Sequence, residues 1–273
     1  MPYRFSLEFA SMTDTGQLRA HNEDSIIVCA SAGLAVLADG MGGYNAGEVA
    51  SGIATSEIQR IIEAQPLTDA NDQAEDPLMA ADWLLHQAVA VANLAILDAS
   101  DKEPDYNGMG TTVVAALFHD DTVTIAHVGD SRAYRLRDRQ LQQITRDHSL
   151  LQEQLDAGLL TLEQAQFAQH KNLITRAVGV DPHLDADINA FDVAPGDCYL
   201  LCSDGLSDML SDARIADILI ACGADITTAV QDLVAQANAM GGRDNISVIL
   251  IRVNLSHLGK NDLIGRFRHW ISE

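Results

Sequence analysis

Apolar residues in this chain arrive in blocks of two kinds, and the order of those blocks sets the expected architecture. Short continuous runs read as strands buried on both faces, because a strand covered on one side alternates apolar and polar positions and a doubly covered one does not. Gly33 to Ala38 and Asp197 to Cys202 are runs of this kind, and Ser25 to Cys29, Thr111 to Phe118, Val123 to Val128, Ser131 to Leu136 and Ile246 to Val253 are further strand-like runs. Phe5 to Asp14, which mixes apolar with small polar residues, is a candidate first strand. Longer segments carry a helical period instead. Val49, Ile53, Ile58, Ile61 and Ile62 lay an apolar stripe along a helix over Ala46 to Ala64. Trp83, Leu84, Ala88, Val91, Ala92 and Ala95 do the same for a second, started by Asp76-Pro77 and running to roughly Ala99. The polar loop Gln65 to Glu75 joins these two as an antiparallel pair.

Ser211 or Asp212 caps a later helix ending at Gly223, and Asp225 caps another ending near Gly241. Helices thus cluster at 46–99 and 212–240, between runs of strand. The expected fold class is α+β: a four-layer α-β-β-α sandwich, two antiparallel sheets flanked by helix pairs. Ser149-Leu150-Leu151-Gln152 and Thr161-Leu162-Glu163-Gln164 both fit a capping box, so two short helices flank Gly158 and form a helical flap over residues 147–176. Residues 1–253 read as one domain. Residues 254–273 are a C-terminal amphipathic extension, with Leu263, Ile264, Phe267, Trp270 and Ile271 beside Arg266 and Arg268. Docking on the body is the expected fate of this segment; a partner or a membrane surface are the other uses of such a helix.

Composition narrows the classes. A chain of 273 residues, 47% apolar with six prolines, buries a sizeable core. No uninterrupted apolar run reaches the ~18 residues of a membrane span, and Met1-Pro2-Tyr3-Arg4-Phe5 lacks a signal-peptide layout. Cys29, Cys198, Cys202 and Cys222 show no CxxC pairing and read as reduced core thiols, so a cytoplasmic location is expected. The net charge of −22 argues against nucleic acid as a partner. It also repels a phosphorylated substrate unless local cations reverse the field.

Candidate chemistry gathers where strands begin and end. The run Gly33 to Ala38 stops at Asp39, followed by Gly40-Met41-Gly42-Gly43. An Asp-Gly pair alone is an ordinary turn signal. Here the event recurs at Gly129-Asp130 and at Ser203-Asp204-Gly205, while Asp24 and Asp244 precede strands. A tight connection at Ala30 to Gly33 makes the flanking strands antiparallel, which sets Asp24 beside Asp39. An antiparallel final strand likewise brings Asp244 to the end where Asp204 lies. Two carboxylates about 5 Å apart repel by roughly 3 kcal/mol at an effective dielectric of about 20, so such a cluster calls for cations. Carboxylates without His or Cys at ligand spacing select magnesium or manganese. Two such ions about 4 Å apart lower the pKa of a shared water and stabilise displacement at phosphorus. Arg19, five residues before Asp24, offers a fork for phosphate oxygens. His127 reads as a packed, hydrogen-bonded core residue.

Six stretches in order, Arg19-Ala20-His21-Asn22-Glu23-Asp24, Ala38 to Gly43, Gly110-Thr111-Thr112, Val128-Gly129-Asp130-Ser131-Arg132, Cys202-Ser203-Asp204-Gly205-Leu206 and Gly241-Gly242-Arg243-Asp244-Asn245, resemble the motif set of the metal-dependent protein phosphatases (PPM, type 2C) in its bacterial form. The likeness runs from about residue 6 to 253. It implies that residues 1–253 are a phosphatase catalytic domain using Mn2+ or Mg2+, two core ions and a third. The implied reaction is hydrolysis of phosphoserine and phosphothreonine in proteins by a water activated between two metals. By position, Asp39 would bridge two ions with the Gly40 carbonyl on one, and Asp204 and Asp244 would ligate the other. Asp130, with Asp204, resembles the weaker third site. Asp24 would hold metal-bound water, and Arg19 would grip the phosphate. Residues 147–176 match the family's variable flap. Met41 stands where many eukaryotic relatives carry a histidine proposed as general acid, and Tyr44 where bacterial relatives often have histidine. The expected partners are phosphorylated proteins, substrates of a bacterial serine/threonine kinase, with the chain a monomer bearing no membrane span.

Two other readings compete. A nucleotide-binding protein would use Gly40 to Gly43 as a phosphate loop, but no Lys-Ser/Thr follows and the aspartate precedes the glycines. A non-catalytic metal-binding phosphoprotein-sensing domain would keep the same ligands without turnover.

Overall fold

The apolar runs form two antiparallel sheets. In this computed structural model, which describes residues 5–43, 46–65, 67, 77–161, 164 and 173–255, the strands are β1 (Phe5–Asp14), β2 (Asp24–Cys29), β3 (Leu34–Met41), β4 (Gly110–Thr111), β5 (Val113–His119), β6 (Thr122–Val128), β7 (Arg132–Arg137), β8 (Gln140–Gln143), β9 (Asp187–Asp192), β10 (Cys198–Cys202) and β11 (Ile246–Leu255). One sheet has the order β1-β11-β10-β7-β8; the other runs β2-β3-β5-β6-β9, with β4 paired to β3. The helices are α1 (Ala46–Ala64), α2 (Pro77–Lys102), α3 (Leu150–Asp156), α4 (Asp204–Ser207), α5 (Asp212–Cys222) and α6 (Ile226–Ala239). The extension beyond Leu255, Tyr44, most of the Gln65–Glu75 loop and most of the second flap helix lie outside the described residues.

Alternation along the central strands explains why their sequences are apolar throughout. On β3, Leu34, Val36 and Ala38 meet α1 and α2, while Ala35 and Leu37 face the other sheet. On β11, Val248 and Leu250 meet α5 and α6, while Ile249, Ile251 and Val253 point between the sheets. Each valine, leucine or isoleucine among them contributes about 1.5–3 kcal/mol by leaving water. The result is the expected order of layers, helix pair, sheet, sheet, helix pair.

Caps fall where the sequence puts them. Ser211, rather than Asp212, accepts from the Arg214 amide to start α5; Asp225 accepts from Thr228 to start α6, and Ser149 from Gln152 to start α3. Thr161 and Gln164 exchange the two hydrogen bonds of a capping box.

Three features differ from the sequence reading. On α2 the buried stripe is Ala81, Leu84, Leu85, Ala88, Val89, Ala92 and Ile96, whereas Trp83 is 60% exposed. The stripe is rotated because Leu85, Val89 and Ile96, not the indole, fill the space over the sheet. Over Ala80–Lys102 this helix is long and apolar enough to cross a membrane, yet half of that window is buried against the body. Strands β8 and β9 were not foreseen, since both are outermost strands with polar sequences, QLQQ and DINAFD. Finally, Asp204 does not end a turn but opens the single-turn helix α4.

Candidate active site

The expected convergence of strand ends is present, and it draws on both sheets. Antiparallel pairing of β2 with β3 puts Asp24 directly across from Asp39. Asp130 follows β6 of the same sheet. From the other sheet come Asp204, just after β10, and Asp244, just before its antiparallel neighbour β11. Arg19, Asp39, Asp130, Asp204 and Asp244 line one cleft of about 430 Å³, together with Gly40, Met41 and the flap residues Leu173 and Ile174. Asp24 lies behind Asp39, where its Oδ2 accepts from Ser203 Oγ at 2.9 Å.

Local sequence fixes these carboxylates by their backbones. The Asp39 amide donates to Thr112 Oγ1 at 3.0 Å, and its carbonyl accepts from the Thr112 amide at 2.8 Å and from Thr111 Oγ1 at 2.9 Å. Thr112 Oγ1 also meets Ser131 Oγ at 2.7 Å, tying the Asp39 strand to the Asp130 turn. Glycine is obligatory after Asp39. A Cβ on Gly40 would lie 2.1 Å from the Gly47 carbonyl oxygen of α1 and 2.6 Å from that of Glu23.

Burial among like charges governs the electrostatics. Desolvation, then the charges of Asp24, Asp204, Asp130 and Asp244, push the Asp39 carboxyl well above the usual range. Desolvation does the same to Asp204, joined by Asp130 and by Asp208 one turn along α4. Burial, with Asp147 nearby, pushes Asp130 up to about 7. Asp24 rises to about 6, again chiefly through burial, which its hydroxyl partners Ser247 and Ser203 oppose. Asp24 Oδ1, Asp130 Oδ1 and Asp204 Oδ1 are buried with no donor in hydrogen-bonding geometry. Such oxygens are costly unless a cation or water meets them. Among the described residues, no three acidic, His or Cys side chains already close on one point as a complete cage. Magnesium-type ions do not require one, since they keep several waters and take one or two carboxylates. The donor set fits them.

Arg19 sits on the lip, its side chain 49% exposed, and Nη2 pairs with Asp244 Oδ2 at 2.6 Å. His127 is packed in the core as expected, but the expected hydrogen bonds are missing: among the described residues neither ring nitrogen has a partner in hydrogen-bonding geometry, and its companion is the tilted ring of His148, centroids 4.7 Å apart. Burial lowers both, His127 to about 4, so the pair is neutral. The four cysteines are free.

A family model described as protein phosphatase 2C matches residues 17–241. The chain belongs to the protein phosphatase 2C family. Its relatives include the serine/threonine phosphatase stp of Listeria welshimeri, 37% identical over 91% of this chain and 97% of that protein. Among solved structures, the Mycobacterium tuberculosis serine/threonine phosphatase PstP/Ppp superposes with a TM-score of 0.82 at 37% identity, covering 91% of this chain and 99% of that one. The catalytic domain of PstP in complex with two manganese ions matches with a TM-score of 0.78 at 36% identity, over 92% and 99% of the respective chains.

Supports of this phosphatase 2C rim were not assigned roles from sequence, because Ser, Thr and Asn carry no periodic signal. Asn245 is the clearest. Buried at the start of β11, it accepts from the Glu23 amide at 2.8 Å and donates to the carbonyls of Thr15 and His21, both at 2.9 Å. It therefore staples the loop bearing Arg19 to the strand bearing Asp244. Asn245→Ala leaves three backbone groups unpaired and is expected to cost about 2–4 kcal/mol, read as a lower urea midpoint in metal-free buffer. An unchanged midpoint would show that water replaces the side chain. His148 is a second support. Its amide donates to Gly129 O at 2.7 Å and its Nδ1 accepts from the Gly129 amide at 3.1 Å, anchoring the flap base beside Asp130.

Proposed function

We propose that this chain hydrolyses phosphoserine and phosphothreonine in proteins, with manganese or magnesium held at the aspartate rim. The observation that carries the reading is the meeting of Asp39, Asp130, Asp204 and Asp244 in one cleft, backed by Asp24, with buried carboxylate oxygens left without donors. In this assignment Asp39, the Gly40 carbonyl, Asp204 and Asp244 would hold two ions, and Asp130 with Asp204 would offer a weaker third position. When bound, such ions supply Lewis-acid chemistry at the phosphoryl group and make water a nucleophile at neutral pH.

The chain's own residues do the rest. Arg19 reaches into the cleft from its lip and binds the phosphoryl oxygens as a fork. Asp24 orients water behind Asp39. Met41 lines the cleft and donates no proton, so the leaving oxygen takes one from water or from another group of the rim. Leu173 and Ile174, near the C-terminal end of the 147–176 segment, line the mouth of the site, where they meet the polypeptide around the phosphoresidue. Residues 1–253 are thus the catalytic domain and 254–273 an extension to it. The substrates are phosphoproteins made by a bacterial serine/threonine kinase, and the enzyme works as a cytoplasmic monomer.

The test is manganese-dependent phosphate release from phosphoserine and phosphothreonine peptides. Arg19→Ala, assayed at saturating manganese, is expected to raise KM about 10- to 100-fold with kcat changed far less, as loss of a charged phosphate contact does. Kinetic constants identical to wild type would remove Arg19 from the phosphate site. Absence of turnover on every peptide would favour the phosphoprotein-sensing alternative.

A further inference from the structure

Asp244 differs from Asp24, Asp130 and Asp204 in having both oxygens engaged. Its Oδ2 accepts from Arg19 Nη2 at 2.6 Å, and its Oδ1 accepts from the Asn245 amide at 2.9 Å. Asp24, Asp130 and Asp204 each keep an oxygen with no donor. A divalent ion entering the rim therefore finds open lone pairs at Asp204 and Asp130, and at Asp244 a guanidinium already in place.

We propose that Arg19 and the metal compete for Asp244, so that the Arg19–Asp244 ion pair is a latch whose opening makes the second metal position and the phosphate clamp available together. The latch rests on the metal assignment made under Proposed function.

The geometry suits an exchange of partners by side-chain rotation alone. Asn245 ties down the carbonyls of Thr15 and His21, on either side of Arg19, so the arginine backbone stays at the lip whichever partner its side chain holds. The guanidinium is half exposed and swings without crossing a packed core. Once an ion takes Asp244, the released guanidinium keeps Glu23 and Asp39 of the cleft as charged neighbours, and a substrate phosphate offers it the fork-shaped partner that the occupied Asp244 no longer does. Metal at Asp244 and phosphate at Arg19 favour the same open state, so each tightens the other by the same factor. Neither ligand has to touch the other for this to hold. An exposed pair is weak, which keeps the latch easily opened.

The test is calorimetric titration of Mn2+ into the metal-stripped full chain in phosphate-free buffer. Arg19→Gln is expected to bind manganese about three- to tenfold more tightly than wild type, from loss of the pair and of its charge. Arg243→Gln removes an equal charge next to Asp244 but no ion pair among the described residues, and should shift the affinity by less than about twofold because exposed charges are screened. Adding inorganic phosphate should then tighten manganese more in wild type than in Arg19→Gln, where nothing remains to be released. Equal or weaker manganese binding by Arg19→Gln overturns the latch, as does an equal gain in Arg243→Gln. Wild type that binds no manganese at all overturns the metal assignment itself, and the latch with it.

Discussion

Asp39→Asn is expected to lower manganese-dependent phosphopeptide hydrolysis by on the order of 10³-fold or more, while the metal-free protein melts no lower than wild type. The two halves of that outcome have separate causes. On the assignment proposed above Asp39 would hold both ions, and an amide would serve them poorly where a carboxylate serves well, so the chemistry they supply would be lost; three orders of magnitude is ~4 kcal/mol of barrier. In the absence of metal, however, Asp39 is a buried acid among Asp24, Asp204, Asp130 and Asp244. Replacing it with a neutral group of the same shape removes repulsion and preserves the volume. Paired assays of turnover and of melting in chelator separate these effects. A variant that melted far below wild type would show that Asp39 holds the fold together rather than the ions.

The second large effect is a pH-dependent response to metal. In metal-free protein the folded-state pKa values of Asp24, Asp39, Asp130 and Asp204 all lie above the unfolded value. Between about pH 4 and the folded values, near 6 for Asp24 and 7 for Asp130, the folded chain holds protons that the unfolded chain has released. Stability from these groups is therefore present at low pH and lost as pH rises through that window. His127 and His148 work in the opposite sense. Both are held neutral when folded, so they lose stability as pH falls below their unfolded value. That contribution is common to loaded and stripped protein and cancels in the difference between them. At pH 5 a cation must displace protons from the rim, and for Asp130 alone, two units below its value, this costs roughly 3 kcal/mol, about 100-fold in affinity. The rise in melting temperature on adding manganese should thus be large at pH 8 and small at pH 5. An equal rise at both would mean that the ions are held by groups other than these aspartates.

How much of this was legible depends on how local the signal was. Asp24 beside Asp39 followed from a short connection at Ala30 to Gly33, which leaves the two strands little choice but to pair. Asp204 with Asp244 required only that the last strand run antiparallel to the one before it. The helices announced themselves through caps and period. Trp83 misled because an indole weighs heavily in any apolar stripe, although the space over the sheet is filled by aliphatic side chains one helical step away. Strands β8 and β9 gave no pattern because QLQQ is short and polar and DINAFD mixes polar with apolar positions. Least legible were the groups whose meaning is a partner. A lone arginine in a loop says nothing of the carboxylate 225 residues further on that it pairs with. Ser203, Thr112 and Asn245 look like ordinary polar residues until the strands they connect are side by side.

Because Asp24 and Asp39 ride on one sheet, Asp204 and Asp244 flank strands of the other, and Asp130 sits in the turn that joins the two, neither half of the molecule owns the chemistry. The oily layer between them, with Phe118 set edge-on against Tyr199 at 5.3 Å, therefore serves as an alignment bench as well as a source of cohesion. A slip of about an ångström between the halves would leave every element intact and still spoil the spacing on which reaction geometry depends. Transplanting either half into another scaffold would carry over an incomplete set of acids and no working centre.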